Sequence, residues 1–169
     1  LLAHRYMGGA PARSGLKHSF IAPYGAFECR DGAQVLISVQ SNREFAALCR
    51  QVLQRPELPE DPRFSENPER YAHRDALDAI VADCFAQFTA AEMVDKLDAA
   101  QIANARVNSL ADVWAHPQLQ ARGRWRDVGS SAGPLPALLP PGRNSAFDYR
   151  MDPIPRVGEH TQAILQELG

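Results

Sequence analysis

Alternation of apolar and polar positions is clearest over Gly25–Arg30 (GAFECR) and Ala33–Val39 (AQVLISV), which flank Asp31-Gly32. A period of two predicts paired strands, and the Asp-Gly pair, tolerant of positive φ, predicts a type I′ hairpin turn. The period then lengthens. Phe45, Leu48, Cys49, Val52 and Leu53 advance by three, one, three and one, which lines a single helical face. Ser41 and Glu44 predict a capping box at its start, and Pro56, Pro59 and Pro62 stop it near Gln54. Pro68, after Asn67, opens a helical segment running to about Phe88, with Leu77, Ile80, Val81, Cys84 and Phe88 on one face. Thr89 and Glu92 form a second capping box ahead of Met93, Val94 and Leu97.

Beyond Leu97 the pattern weakens. Ala105–Val107 reads as a short strand, and Ser109 or Leu110 to Trp114 as a helical turn or two, closed before His116-Pro117. Arg124–Val128 and Leu135–Leu138 read as strands, held apart by Gly129, Gly133 and Pro134. Six of the 13 prolines fall between Gly129 and Pro155, a path that needs a surface to lie on. Gly158 to Leu168 ends the chain as a helix carrying Ile164, Leu165 and Leu168. The expected organisation is a linker and loop over residues 1–20 and an α+β domain over 21–128, followed by a proline-rich tail over 129–169. In the domain, helices pack on an antiparallel, hairpin-based sheet.

Charge narrows the function. The 169 residues carry 18 basic and 20 acidic side chains, a net charge of −2, which argues against a general nucleic-acid binder. No apolar run approaches the roughly 20 residues that cross a bilayer. The three cysteines, Cys29, Cys49 and Cys84, are widely spaced without a CxxC pair, which fits buried thiols in a reducing, cytoplasmic setting. No signal peptide is visible, and the missing initiator Met predicts that the chain starts inside a longer one.

Chemistry read from single residues is sparse. There is no GxGxxG, Walker loop, HExxH or GxSxG. Gly8-Gly9 with Gly15 fits a mobile linker better than a phosphate cradle. The five histidines show no i, i+4 pair and no nearby cysteine, so no metal site is expected. His18, beside Lys17, is a candidate contact for an anionic substrate, against the plainer reading of an exposed loop histidine. His116 reads as a turn cap. Arg122, Arg124 and Arg126 around Trp125 would share one side of a strand, and Glu66, Glu69, Asp75 and Asp78 read as a solvated helix face. Nothing supplies a nucleophile with its base.

Six stretches in order are more specific than any one of them: APYGAFECRDG, VLISVQSNREF, PELPEDPRFSENPERYAHRDAL, HPQLQARGRW, PLPALLPPG and GEHTQAILQELG. From about residue 14 onward this succession resembles the C-terminal part of the family III CoA-transferases, the formyl-CoA and carnitine CoA-transferase type. The resemblance implies a large α/β domain absent from this sequence, a small α+β domain, a C-terminal segment that returns onto the large domain, and two interlocked subunits. It implies transfer of coenzyme A, a cosubstrate and not a bound cofactor, from an acyl-CoA to a carboxylic acid. The aspartate that carries the covalent intermediates belongs to the absent domain, so no catalytic residue is expected here and the fragment alone is expected to be inactive.

The resemblance also places a loop over the active site, matching Ser14–Tyr24, with Lys17, His18, Tyr24 and Gly25 as expected substrate contacts. This loop lacks the consecutive glycines of formyl-CoA transferases, which weighs against oxalate as acceptor. The related α-methylacyl-CoA racemases place a proton-transferring glutamate in the segment matching SNREF. Asn42 falls at that position, where an amide cannot exchange a proton, so racemisation is disfavoured and Asn42 becomes a further substrate contact. AQIANARVN, HPQLQARGRW and PLPALLPPG look most like bacterial enzymes acting on itaconate or citramalate with succinyl-CoA as donor. The competing readings are a racemase-like isomerase and a non-catalytic assembly module.

Overall fold

The computed structural model describes residues 5–6, 13–142 and 144–169; Gly8 and Gly9 lie outside them. The alternating runs pair as β1 (Tyr24–Glu28) and β2 (Gln34–Ser38), antiparallel, with Gly25 opposite Ile37 and Phe27 opposite Val35. β3 (Ala103–Arg106) adds to the far edge of β2, giving the order β1-β2-β3. Because side chains alternate across a strand, Phe27, Val35 and Ile37 share the buried face.

The hairpin loop departs from the type I′ expectation. Gly32 takes φ +75° while Asp31 does not enter the left-handed region. Cys29 N–H donates to Ala33 O at 2.8 Å and Gly32 N–H to Cys29 O at 2.9 Å, so the loop has three residues closed by a left-handed glycine. The cause is tertiary. Arg30 N–H donates to Phe88 O at 2.8 Å, and the Asp31 carboxylate accepts from Ala90 N–H at 3.1 and 3.2 Å.

Helix α1 (Asn42–Ala47) begins at Ser41, whose hydroxyl accepts from Glu44 N–H at 3.2 Å. The reciprocal arm of the expected box is displaced by one residue: Glu44 accepts from Gln40 N–H at 2.7 Å. A π-helical turn over Leu48–Val52 continues α1, and Gln54, at φ +56°, ends it. The single segment expected to Phe88 is broken at His73 into α2 (Asn67–Ala72) and α3 (Arg74–Phe85). There the His73 backbone leaves helical angles and its ring Nδ1 lies 2.9 Å from Glu69 O, a side chain competing for a helix acceptor. Helix α4 (Ala90–Ala99) carries the Thr89–Glu92 capping box as expected. Phe45, Leu77, Val81, Phe85, Met93 and Leu97 close over the sheet, with Phe27 and Phe85 rings 5.3 Å apart. Phe64, between the prolines and α2, is also fully buried although no periodicity announces it.

The chain divides into two compact units, Leu1–Val107 and Asn108–Gly169. The boundary expected at 128/129 falls within a hairpin of the second unit, whose strands β4 (Trp125–Val128) and β5 (Leu135–Leu138) pair antiparallel. Ahead of them lie α5 (Leu110–Trp114), with a Ser109–Asp112 capping box, and α6 (Pro117–Ala121), whose first turn His116 caps by accepting from Gln118 N–H at 3.2 Å. Helix α7 (Thr161–Leu168) follows near the C-terminus. The three arginines of RGRWR do not share a strand face. Arg122 ends α6, Gly123 turns at φ +57°, and Arg124 is buried with Nη2 donating to Leu139 O at 3.2 Å and to Pro140 O. Trp125 stacks on Trp114 at 4.1 Å. Among the described residues, no helix is long and apolar enough to cross a membrane.

Candidate functional site

The loop leading into β1 starts as a turn closed by Lys17 N–H to Ser14 O at 3.0 Å, with Gly15 at φ +59°. His18 N–H donates to Tyr24 O at 3.1 Å, bringing the loop back onto the strand, and the His18 ring stacks on Tyr24 at 5.1 Å and 25°. His18 Nδ1 accepts from Phe20 N–H at 3.1 Å, so the neutral ring carries its proton on Nε2. Gly25 is buried. A Cβ there would lie 3.3 Å from Lys17 Cγ and 3.7 Å from Lys17 Cα, so the missing side chain is what lets the loop lie against β1. Lys17, His18, Tyr24 and Gly25 thus form one neighbourhood.

Two of the expected contacts already have partners. Lys17 Nζ lies 2.6 Å from Asp78 Oδ2, with the lysine side chain about half exposed and the aspartate mostly covered. Asp78 is therefore not part of a merely solvated face. Among the described residues, Asn42 meets the loop only through Arg70: its Oδ1 accepts from Arg70 Nη2 at 2.9 Å and its Nδ2 donates to Glu66 at 2.6 Å. Glu44, the one glutamate of SNREF, accepts from Gln40 N–H.

The residues that hold the loop escape sequence reading. Arg70, only 2% exposed, donates from Nε to Ala22 O at 3.0 Å and from Nη1 to Phe64 O at 3.0 Å. Asn67 bonds both ways, accepting from Ala22 N–H at 3.2 Å and donating to Phe20 O at 2.8 Å. Arg74 Nη2 donates to His18 O at 2.7 Å and to Ile21 O. The available signal was spacing: 67, 70, 74 and 78 recur at three and four, one stripe along α2 and α3. Burial pushes the Arg70 guanidinium pKa down while the Glu66 carboxylate opposes it. Arg74 also lines a surface hollow of about 310 Å³ with Tyr71, His73 and Asp75, and its Nε is buried without a hydrogen-bond partner.

This arrangement can present a cation and an imidazole to an anion. Burial raises the pKa of Cys29, Cys49 and Cys84, which suppresses thiolate formation, with Cys49 reaching about 12. Among the described residues no group of three His, Cys, Asp or Glu side chains is placed to hold a metal ion.

Comparison with known proteins agrees with the six ordered stretches. The model of CoA-transferase family III matches residues 1–161. The chain is 35% identical over 99% of its length to an acyl-CoA transferase of Fusarium pseudograminearum (strain CS3096), covering 37% of that protein. It is 36% identical over 95% of its length to the acetyl-CoA:oxalate CoA-transferase of Acetobacter aceti, covering 40% of it. A CAIB/BAIF family protein from Brucella suis superposes with a TM-score of 0.80 at 32% identity, over 99% of this chain and 43% of that one. The chain thus spans about two-fifths of the length of the relatives it matches. With a family match that runs through both compact units, the chain belongs to CoA-transferase family III.

Proposed function

We propose that this chain is the C-terminal portion of an enzyme that moves coenzyme A from an acyl-CoA donor to a small dicarboxylic acid. The observation that carries the reading is the family match over residues 1–161 in a chain about two-fifths as long as its relatives. Relatives named for their substrates include a succinyl-CoA:glutarate, an acetyl-CoA:oxalate and a succinyl-CoA–malate CoA-transferase. All three acceptors are small dicarboxylates, and succinyl-CoA recurs as donor. The 36% identity to an acetyl-CoA:oxalate CoA-transferase keeps oxalate among the acceptors to be tested, against the absent glycine run. Itaconate and citramalate have no counterpart among these names.

In this reading an aspartate on the remainder of the enzyme attacks the donor thioester and expels CoA thiolate, leaving a mixed anhydride. The thiolate attacks the aspartyl carbonyl, releasing the donor acid and leaving an aspartyl thioester. The acceptor carboxylate then displaces CoA to give a new anhydride. CoA attacks the acceptor carbonyl of that anhydride and restores the aspartate. The loop of this chain borders the acceptor. Lys17 exchanges Asp78 for the acid's second carboxylate, His18 donates from Nε2, and Tyr24, Gly25 and Asn42 shape the wall. The second unit returns onto the large domain, and two such chains interlock.

The test begins with intact mass by denaturing mass spectrometry, which shows whether an aspartate-bearing polypeptide accompanies this chain. With that polypeptide present, succinyl-CoA and acetyl-CoA are each offered oxalate, malate and glutarate. New acyl-CoA, with an enzyme-bound thioester trapped by hydroxylamine, is the expected result. No movement of CoA to any of the three acids would overturn the reading.

A further inference from the structure

The loop from His18 to Ala22 is held by its main chain. Five of its backbone groups are engaged by side chains from one helical stripe: His18 O and Ile21 O by Arg74, Phe20 O and Ala22 N–H by Asn67, and Ala22 O by Arg70. The fourth member, Asp78, takes Lys17 Nζ at 2.6 Å at the outer end. These residues sit at 67, 70, 74 and 78, so α2 and α3 present them in one row, and the row continues across the break at His73. Main-chain bonds fix where the carbonyls and Cα atoms lie, and through them where His18 and Lys17 project. Both Arg74 bonds leave one nitrogen, Nη2, whose two N–H bonds lie in the guanidinium plane, so one rigidly oriented group holds two carbonyls at once.

We infer that the row Asn67–Arg70–Arg74–Asp78 positions this loop and thereby sets which acceptor acid the enzyme accepts. The inference rests on the proposed reading, in which the loop borders the acceptor. None of the four residues needs to touch the acid; they act through the loop.

The experiment uses the complete enzyme, this chain with its aspartate-bearing remainder. Arg74→Met removes the Nη2 donor that holds both carbonyls, and Asn67→Ala loses both of its bonds. For each, the acceptor KM is expected to rise about tenfold, inside the roughly hundredfold that an ångström of misplacement costs. Donor KM and the formation of the aspartyl thioester without acceptor should be unchanged, even though the unpaired Ala22 N–H lowers the thermal midpoint of Asn67→Ala. The preference among oxalate, malate and glutarate should shift, and trypsin should cut after Lys17 faster than in the wild type. Equal losses in the donor and acceptor halves would make the row a support of the fold only and overturn the inference. So would an unchanged acceptor KM with unchanged cleavage at Lys17. If the wild-type enzyme moves no CoA, the proposed function fails first and acceptor choice fails with it. The tryptic cut then decides separately whether the row holds the loop.

Discussion

Arg70 is a buried guanidinium with no ion pair among the described residues. Its donors go to the Ala22, Phe64 and Ser65 carbonyls and to Asn42 Oδ1, and its face lies 4.5 Å from the Phe45 ring centre. Neutral acceptors satisfy the donors without cancelling the charge. Asn42 links it instead to Glu66, accepting on one end of the amide and donating on the other. Asn42→Ala leaves one buried donor unpaired and should cost about 1–3 kcal/mol, read as a lowered urea midpoint. Cys49 shows the other effect of burial. Its thiol is pushed up to about 12, so it should resist a disulfide reagent at pH 8 until urea unfolds the chain. Because its folded pKa lies above the ordinary 9.0, its share of stability is complete below pH 9 and is lost as pH rises toward 12.

Helix α4 starts at a junction of two caps. Thr89 exchanges bonds with Glu92 across the first turn, and Asp31, from the hairpin loop, accepts from Ala90 N–H. Thr89→Ala should cost about 1 kcal/mol by thermal melting. Asp31→Ala should cost a comparable amount and also release the loop, and the double variant should fall short of the sum because both caps serve one helix end. This junction marks where sequence reading runs out. Thr89–Glu92 is a local signal three residues apart and was legible, as were the two strands and the buried stripe of α1. The turn type was not, since Asp31 is drawn to a partner 59 positions away. The row at 67, 70, 74 and 78 was missed for a related reason. Charged residues on a helix predict solvent, and only the folded loop shows that Arg70 and Arg74 face main-chain carbonyls.

The buried side chains are shared unequally between the two units. Among the described residues, Val128 and Arg124 are the only buried side chains contributed by Asn108–Gly169, while Ile164, Leu165 and Leu168 of α7 are all more than half exposed. Hydrogen exchange in this chain should therefore be slowest at β1 and β2 and fast throughout α7. Comparable protection in both regions would contradict that ranking. The proline-rich path and apolar last helix were visible in the sequence, whereas the break near residue 107 was not, because β4 and β5 pair across the point where composition changes. The grip on His18–Ala22 has an evolutionary side. Carbonyls and amides are the same whatever side chain a residue bears, so Ser19, Phe20 and Ile21 can be exchanged while the scaffold beneath them keeps its bonds. A loop held in this way can drift in sequence without losing its path, which favours a lineage whose members diversify by altering a few contact residues on a conserved frame.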